Sequence, residues 1–116
     1  MSLRSQLLKG VLEGCILAVI EKRDVYGYEL SENLKQFGLH DISEGSIYPI
    51  LLRLQKFNLI EGEMRESPAG PKRKYYHLTD EGKNALRQFR QEWENLKKPV
   101  DDILSGGDWD AHERSD

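Results

Sequence analysis

The hydrophobic period of this 116-residue sequence changes near residue 60, and this change limits the folds that the chain can adopt. Before it, apolar residues recur three and four positions apart, which predicts helices over residues 5–22, 26–37 and 44–56. After it, apolar and charged residues alternate over 60–65, and a β-prone run follows at 73–78, which together predict two strands. Residues 66–71, with two prolines and a glycine, are predicted to form the connecting loop.

A regular apolar stripe marks the final helix, which is predicted over residues 79–104 with Thr79 as its N-cap. Its members recur at steps of 3, 4, 3, 4 and 3: Leu86, Phe89, Trp93, Leu96, Val100 and Ile103. This spacing is typical of coiled-coil contacts, and a helix projecting from a small domain cannot bury such a stripe by itself. The stripe therefore predicts homodimerisation, with folding back onto the first helix as the alternative.

Two features after Trp93 affect the end of the chain. Pro99 lacks a backbone N–H, so it is predicted to kink the last helix or to start a new one. Residues 105–116 contain two glycines and many polar residues, which predicts a disordered tail. Trp109 in this tail has no assigned role.

The order of the predicted elements is three helices, a hairpin and a long helix, which makes the chain mainly α with a small β-hairpin. This is the layout of a winged helix-turn-helix, in which the third helix reads a DNA groove and the hairpin loop is the wing. We therefore predict a DNA-binding domain over residues 1–78, a dimerisation helix over 79–104 and the tail over 105–116.

The distribution of charge is compatible with a DNA partner although the net charge is −3. Residues 1–78 hold 11 Lys and Arg against 10 Asp and Glu, whereas residues 79–116 hold 6 against 10. Contacts with phosphates depend on the local potential, so the acidic last third does not exclude them. One cysteine and three scattered histidines predict no metal site and no cofactor, and no nucleophile motif or carboxylate pair predicts an enzyme.

The N-terminal sequence and the apolar runs bear on location. The longest strongly apolar stretch, residues 15–20, is far shorter than a membrane span, and no export signal is present at the N-terminus. We therefore expect a cytoplasmic protein without a membrane partner.

Candidate DNA contacts lie on the face of the third helix that is opposite its apolar residues. Gly45 permits close approach to the groove, Ser46 and Tyr48 can bond to base edges or phosphates, and Arg53 and Lys56 can meet the backbone. Ser43, the predicted N-cap, lies at the same end of the helix. In the wing, the consecutive cations Lys72, Arg73 and Lys74 suit phosphates or the minor groove.

Three stretches give this sequence a resemblance to the PadR family of transcriptional regulators: VYGYEL at 25–30, SEGSIYPIL at 43–51 and GPKRKYY at 70–76. The resemblance implies a bacterial homodimer that represses transcription from a partly palindromic operator. It places Gly45, Ser46 and Tyr48 in the groove and Lys72 and Lys74 on phosphates. Tyr26 and Tyr28 open the second helix, whose free N–H groups suit a phosphate.

The single C-terminal helix resembles the short branch of this family, which includes regulators that sense drugs. In that branch a tryptophan on the last helix stacks on planar apolar ligands at the dimer centre, and Trp93 occupies the matching position. The resemblance then implies that such a small aromatic effector would be lined by Leu7, Gly10, Val11 and Gly14 of the first helix. In the alternative interpretation, Trp93 belongs to the dimer core and binds nothing.

A second class of function stays open on the sequence. A winged helix can act as a protein-protein interaction module without DNA binding, and the acidic total charge is compatible with this alternative. The sequence does not identify the operator, the regulated gene or an inducer.

Overall fold

The computed structural model describes residues 2–107, with four helices and two strands in the predicted order. The elements are α1 (Leu3–Lys22), α2 (Gly27–Gln36), α3 (Glu44–Lys56), β1 (Ile60–Ser67), β2 (Gly70–Leu78) and α4 (Asp80–Leu104). This confirms the predicted fold class, a mainly helical chain with one hairpin. The chain divides into two compact units, Met1–Leu86 and Arg87–Asp116, so that the division falls within α4.

Hydroxyl side chains cap three of the helices. Ser43 Oγ accepts a hydrogen bond from the Ser46 backbone N–H at 3.1 Å, and Thr79 Oγ1 accepts one from the Gly82 N–H at 3.0 Å. Both bonds satisfy N–H groups that a helix leaves without partners, and both confirm the predicted caps. Ser2 caps α1 in the same way, so this helix begins at Leu3, two residues before the predicted start.

The core of the first unit is formed by apolar residues from all of its elements. The side chains with the least exposure are Ile16, Val25, Leu30, Leu34, Ile47, Leu51, Leu54, Ile60 and Leu86. Leu86 is only 1% exposed within its own chain, so its assignment to a dimer interface is wrong. The spacing of the stripe includes Leu86 because the period of a helix does not reveal where packing within the chain ends.

The hairpin is tighter than the predicted loop requires. The strands pair antiparallel from Ile60 opposite Leu78 to Ser67 opposite Gly70, which leaves a turn of only Pro68 and Ala69. Gly70 adopts a φ of 118°, a conformation that side chains disfavour, and this allows the chain to enter β2 directly after the turn. The expected loop over residues 66–71 is therefore wrong in extent.

The hairpin is joined to the helices through the linker between α1 and α2. The Val25 N–H donates to the Tyr76 carbonyl at 3.3 Å, and the Tyr76 N–H donates to the Val25 carbonyl at 2.8 Å. One face of the hairpin, here called the inner face, carries the buried Ile60, Tyr76 and Leu78. Because strand residues alternate, Arg65, Arg73 and Tyr75 lie on the opposite, outer face.

Helix α4 runs without interruption through Pro99 to Leu104. No new helix starts at the proline, so that part of the expectation is wrong. Residues 105 and 106 form a turn, and Trp109 with the rest of the predicted tail lies outside the described residues.

We expect Gly82→Ala to lower the free energy of unfolding by about 1–3 kcal/mol, as overpacking does in a closed site. A Cβ atom at Gly82 would collide with the backbone carbonyl oxygen of Leu59, which side-chain rearrangement cannot relieve. Urea denaturation measures the effect. Gly45→Ala is the matched control, because a Cβ there meets only Ser43 Oγ at 3.9 Å. Equal urea midpoints for both variants would contradict the predicted collision.

Candidate nucleic-acid interface

Helix α3 separates a buried face from an exposed one. Ile47, Leu51 and Leu54 point into the core. The opposite side carries four exposed residues, each about one helical turn from the next. We call these residues the reading face: Gly45, Pro49, Leu52 and Lys56. Leu52 is 65% exposed and adds an apolar surface to this face. The reading face lacks bulky side chains at its N-terminal end and is cationic at its C-terminal end, as the sequence predicted.

The two serines at the start of α3 interact with each other. Ser43 Oγ lies 2.9 Å from Ser46 Oγ and also accepts the Ser46 N–H, so Ser43 acts first as the helix cap. Both residues are exposed beside Gly45. The structure thus gives Ser43 a stabilising role that is independent of any DNA contact.

Arg53 is engaged within the chain. Its Nε donates to Glu13 Oε1 of α1 at 2.7 Å, and both side chains are about half exposed. Arg4 of α1 makes a second connection to the segment before α3, where it bonds to Asp41 Oδ1 at 3.1 Å and lowers the pKa of that carboxyl. No local sequence pattern predicts either pair, because the partners are distant in the chain.

Tyr48 lies where α2, α3 and β2 meet. A Cβ on Gly27 would come within 3.3 Å of Tyr48 Oη, so the absence of a side chain at Gly27 makes room for this ring. Burial raises the pKa of the neighbouring Tyr76 hydroxyl, and the proximity of Tyr48 raises it further. Tyr48 itself is 48% exposed, so it remains accessible beside the first turn of α2.

The three consecutive cations of β2 do not form one patch. Lys74 lies on the inner side of the strand and Arg73 on the outer face, and Lys72 lies where the strand register shifts. Both lysines are exposed: Lys72 Nζ is 3.9 Å from Glu66, and Lys74 Nζ is 5.9 Å from the centre of the Tyr76 ring. Lys56 also remains without an ion-pair partner among residues 2–107.

Arg73 and Tyr26 are partners. Arg73 Nη1 donates to Tyr26 Oη at 2.8 Å, and its Cζ lies 4.4 Å from the ring centre. Tyr28 and Tyr75 also contact the Tyr26 ring, at centroid distances of 6.4 and 5.3 Å. The Tyr26 N–H donates to Glu29 Oε1 at 3.3 Å. Tyr26 therefore faces the hairpin, and Tyr28, 54% exposed, is the more accessible of the two tyrosines.

Arg65 ties the outer face of the hairpin to the linker before α2. It bonds to Asp24 at 2.6 Å and to Glu63 at 3.1 Å, and the Asp24 bond is the larger cause of the raised pKa of Arg65. Its Cζ also lies 5.0 Å from the centre of the Tyr75 ring. No motif in the sequence pointed to Arg65, because its role depends on a contact across 41 residues.

The predicted ligand and dimer residues differ in exposure. In α4, Trp93, Leu96, Val100 and Ile103 are 45–60% exposed and Phe89 is half-buried. In α1, Leu7 is 69% exposed and Gly10 is exposed, while Val11 is half-buried. Gly14 is buried within the chain, so it offers no open surface to a ligand in this conformation.

Within residues 2–107, no three His, Cys, Asp or Glu side chains lie close enough together to hold a metal ion. Within the same residues, no helix combines the length and the apolar character that crossing a bilayer requires.

An exposed helix face beside a two-stranded hairpin with accessible lysines is the arrangement of a winged-helix DNA-binding protein. Residues 16–88 match the transcriptional regulator PadR-like family, and the chain belongs to this family. It is therefore a winged-helix transcriptional regulator, as the resemblance implied.

Known relatives share this architecture over most of the chain. A PadR-like transcriptional regulator from Bacillus cereus is 56% identical with a TM-score of 0.79, and the match covers 85% of this chain and 96% of that one. A Streptococcus transcriptional regulator is 47% identical with a TM-score of 0.78, covering 85% and 97%. The Mycobacterium tuberculosis transcriptional regulator Rv3488 is 34% identical over 77 residues, which are 66% of this chain and 70% of that protein.

We expect Ser43→Asp to keep the N-cap of α3 but to weaken DNA binding, so this variant separates the two roles of Ser43. An aspartate also caps a helix and suits its positive end, so the free energy of unfolding should stay within about 0.5 kcal/mol of the original. The added negative charge should weaken DNA binding, because it would stand near the phosphates. Thermal denaturation and fluorescence anisotropy with duplex DNA measure the two effects.

The control is Ser43→Ala, which should lower stability by about 1 kcal/mol through loss of the cap. Unchanged DNA affinity of the aspartate variant would mean that this end of α3 does not approach the backbone.

Proposed function

We propose that two copies of this chain form a repressor that binds a partly palindromic operator, with α3 of each copy in the major groove. The reading face is the observation that carries this proposal. It is exposed, it lacks a bulky side chain at Gly45, and it ends in Lys56, which has no ion-pair partner within residues 2–107. A recognition helix enters the groove with its N-terminal residues nearest the bases, which suits this order.

The contacts with DNA divide into those that read bases and those that hold the backbone. Ser46 and Tyr48 flank the reading face and carry hydroxyls for base edges, and Leu52 offers an apolar surface to a thymine methyl group.

Lys56, Lys72 and Lys74 present flexible charges for phosphates. Because Arg53 forms an ion pair with Glu13, a contact of Arg53 with a phosphate requires exchange of that partner.

The N-terminus of α2 supports a further phosphate contact. Its first residue, Gly27, lies beside the Tyr48 hydroxyl, Tyr28 is exposed, and a helix N-terminus favours anions. Together with the lysines of the wing, this end of α2 would fix the register of the domain on the duplex.

Dimerisation follows from the apolar surface of α4. Trp93, Leu96, Val100 and Ile103 repeat at heptad spacing and are largely exposed in the single chain. A regular apolar stripe in water is favourably buried against a second copy. To occupy a palindromic operator, such a two-fold dimer would have to place its two reading faces roughly 34 Å apart, one turn of the duplex.

Trp93 supports a site for a planar apolar effector at the dimer centre. Its indole is 45% exposed in the single chain, and an aromatic ring prefers to stack on another flat surface. Leu7, Gly10 and Val11 of α1 would contribute apolar and small side chains to such a site, and release from DNA would follow binding. A role in the cytoplasm and the absence of an enzymatic activity fit this function.

We expect Lys72→Gln to weaken binding to operator and to unrelated duplex by about the same factor, because a phosphate contact carries no sequence information. The slope of log affinity against log salt should fall by about one. Anisotropy titrations at several salt concentrations, with duplex from the chain's own promoter region, measure both quantities.

Lys35→Gln is the matched control, because Lys35 is paired with Glu32 at 3.6 Å and lies outside the proposed interface. If the unmodified protein bound no duplex at low salt, DNA binding would be refuted, and a stable complex with another protein in a pull-down would favour the interaction module.

We expect Trp93→Ala to weaken the dimer by roughly 3–5 kcal/mol if the indole is fully buried between the copies. Sedimentation equilibrium measures the dissociation constant. Leu104→Ala is the control, because Leu104 is 78% exposed and lies off the stripe. An unchanged dimer would remove Trp93 from the interface.

In a Trp109→Phe background, quenching of Trp93 fluorescence by planar aromatic compounds would separate a ligand platform from simple packing.

A further inference from the structure

The outer face of the hairpin carries a continuous set of aromatic and guanidinium contacts. Arg65 lies over Tyr75, Tyr75 meets the edge of Tyr26, and Arg73 lies over the Tyr26 ring, at 5.0, 5.3 and 4.4 Å. We call these four residues the outer cluster. Since Tyr26 directly precedes α2 while the other three belong to the hairpin, the outer cluster connects the two parts that are proposed to grip the DNA backbone.

Arg73 differs from its neighbours Lys72 and Lys74 because its charged group already has close partners within the chain. Its guanidinium both stacks on Tyr26 and donates to the hydroxyl of that ring at 2.8 Å, and the residue is half-buried. Lys72 and Lys74 are exposed, and their ammonium groups have only distant partners, at 3.9 and 5.9 Å. Strand alternation also points Arg73 away from Lys74.

We propose that Arg73 is a positioning residue, which fixes the hairpin against the N-terminus of α2 through Tyr26, while Lys72 and Lys74 neutralise phosphates. This inference rests on the proposed DNA-binding function and assigns different roles to three adjacent cations. A planar guanidinium can stack and bond to a ring hydroxyl at the same time, and an ammonium cannot reproduce that geometry.

The remaining contacts of the outer face explain why a positioning residue is needed there. Asp24 and Glu63 hold Arg65, which lies directly opposite Arg73 in the hairpin and three positions closer to the turn than the level of the backbone pairing of Val25 with Tyr76. At the same level, Arg73 makes the side-chain bond from the hairpin to Tyr26. Loss of this bond would leave the Arg65–Asp24 bond to tie the hairpin to the linker, but it would free the hairpin to change its angle to α2, and ordering that angle on binding would then reduce affinity.

The test compares Arg73→Lys with Lys72→Arg, two exchanges that each keep one positive charge. We expect Arg73→Lys to weaken operator binding by about 3- to 20-fold, the range of a lost cation–π contact, with the salt slope unchanged. Lys72→Arg should bind within about twofold of the original protein, since a phosphate accepts either cation. Tyr26→Phe, which removes only the hydroxyl, should weaken binding by less than Arg73→Lys, again with an unchanged slope.

Hydrogen exchange gives a readout that does not depend on DNA. Backbone amides of the outer half of the hairpin should exchange faster in Arg73→Lys than in the original protein and should be unchanged in Lys72→Gln. If Arg73→Lys fails to fold, Tyr26→Phe still tests the inference through the same two measurements.

Three results would overturn the inference: full operator affinity of Arg73→Lys, a salt slope lowered by about one in Arg73→Gln as in Lys72→Gln, or unchanged hairpin exchange in Arg73→Lys. In each case the original protein would still bind DNA, so the proposed function would stand. Failure of the original protein to bind duplex at low salt would instead refute the proposed function, and hydrogen exchange would still report on the outer cluster.

Discussion

The backbone pairing of Val25 with Tyr76 is the interaction on which the geometry of the DNA-binding unit depends. A two-stranded hairpin is at best marginally stable in water by itself. Here a third extended segment bonds to it through two hydrogen bonds of 2.8 and 3.3 Å, and both residues are buried. The pairing also places Tyr26, the next residue, against the outer face of β2. The wing and the N-terminus of α2 are thus held by one short stretch of chain.

Ion pairs within the first unit decide which cations remain for a partner. Arg4, Arg53 and Arg65 are held by Asp41, Glu13 and Asp24. Exposed pairs of this kind contribute little to stability, but each one fixes a long side chain and offsets its charge. The accessible charge on the proposed DNA side therefore comes from lysines: Lys56, Lys72 and Lys74. This explains how a chain with a net charge of −3 can present a surface suited to phosphates.

Much of the fold could be predicted from local patterns. The caps at Ser43 and Thr79, the bounds of α3 and the change from helical to strand periodicity all depend on neighbours within a few residues, and the structure confirms them. The predictions that are wrong concern the extent of the loop, a new helix at Pro99 and the place of Leu86. Strand pairing continued beyond the apparent loop because Gly70 turns the chain sharply, and Leu86 packs into a core that no local pattern describes.

The sequence by itself determined the order of the elements, the exposed face of α3 and the family, since periodicity, caps and motifs are properties of contiguous residues. Only the tertiary structure decided how the charged residues are used. It paired Arg53 with Glu13 and Arg73 with Tyr26 and left Lys72 and Lys74 exposed, because contacts across 40 or more residues set these partners. Three cations adjacent in sequence therefore became one residue bound to Tyr26 and two exposed lysines.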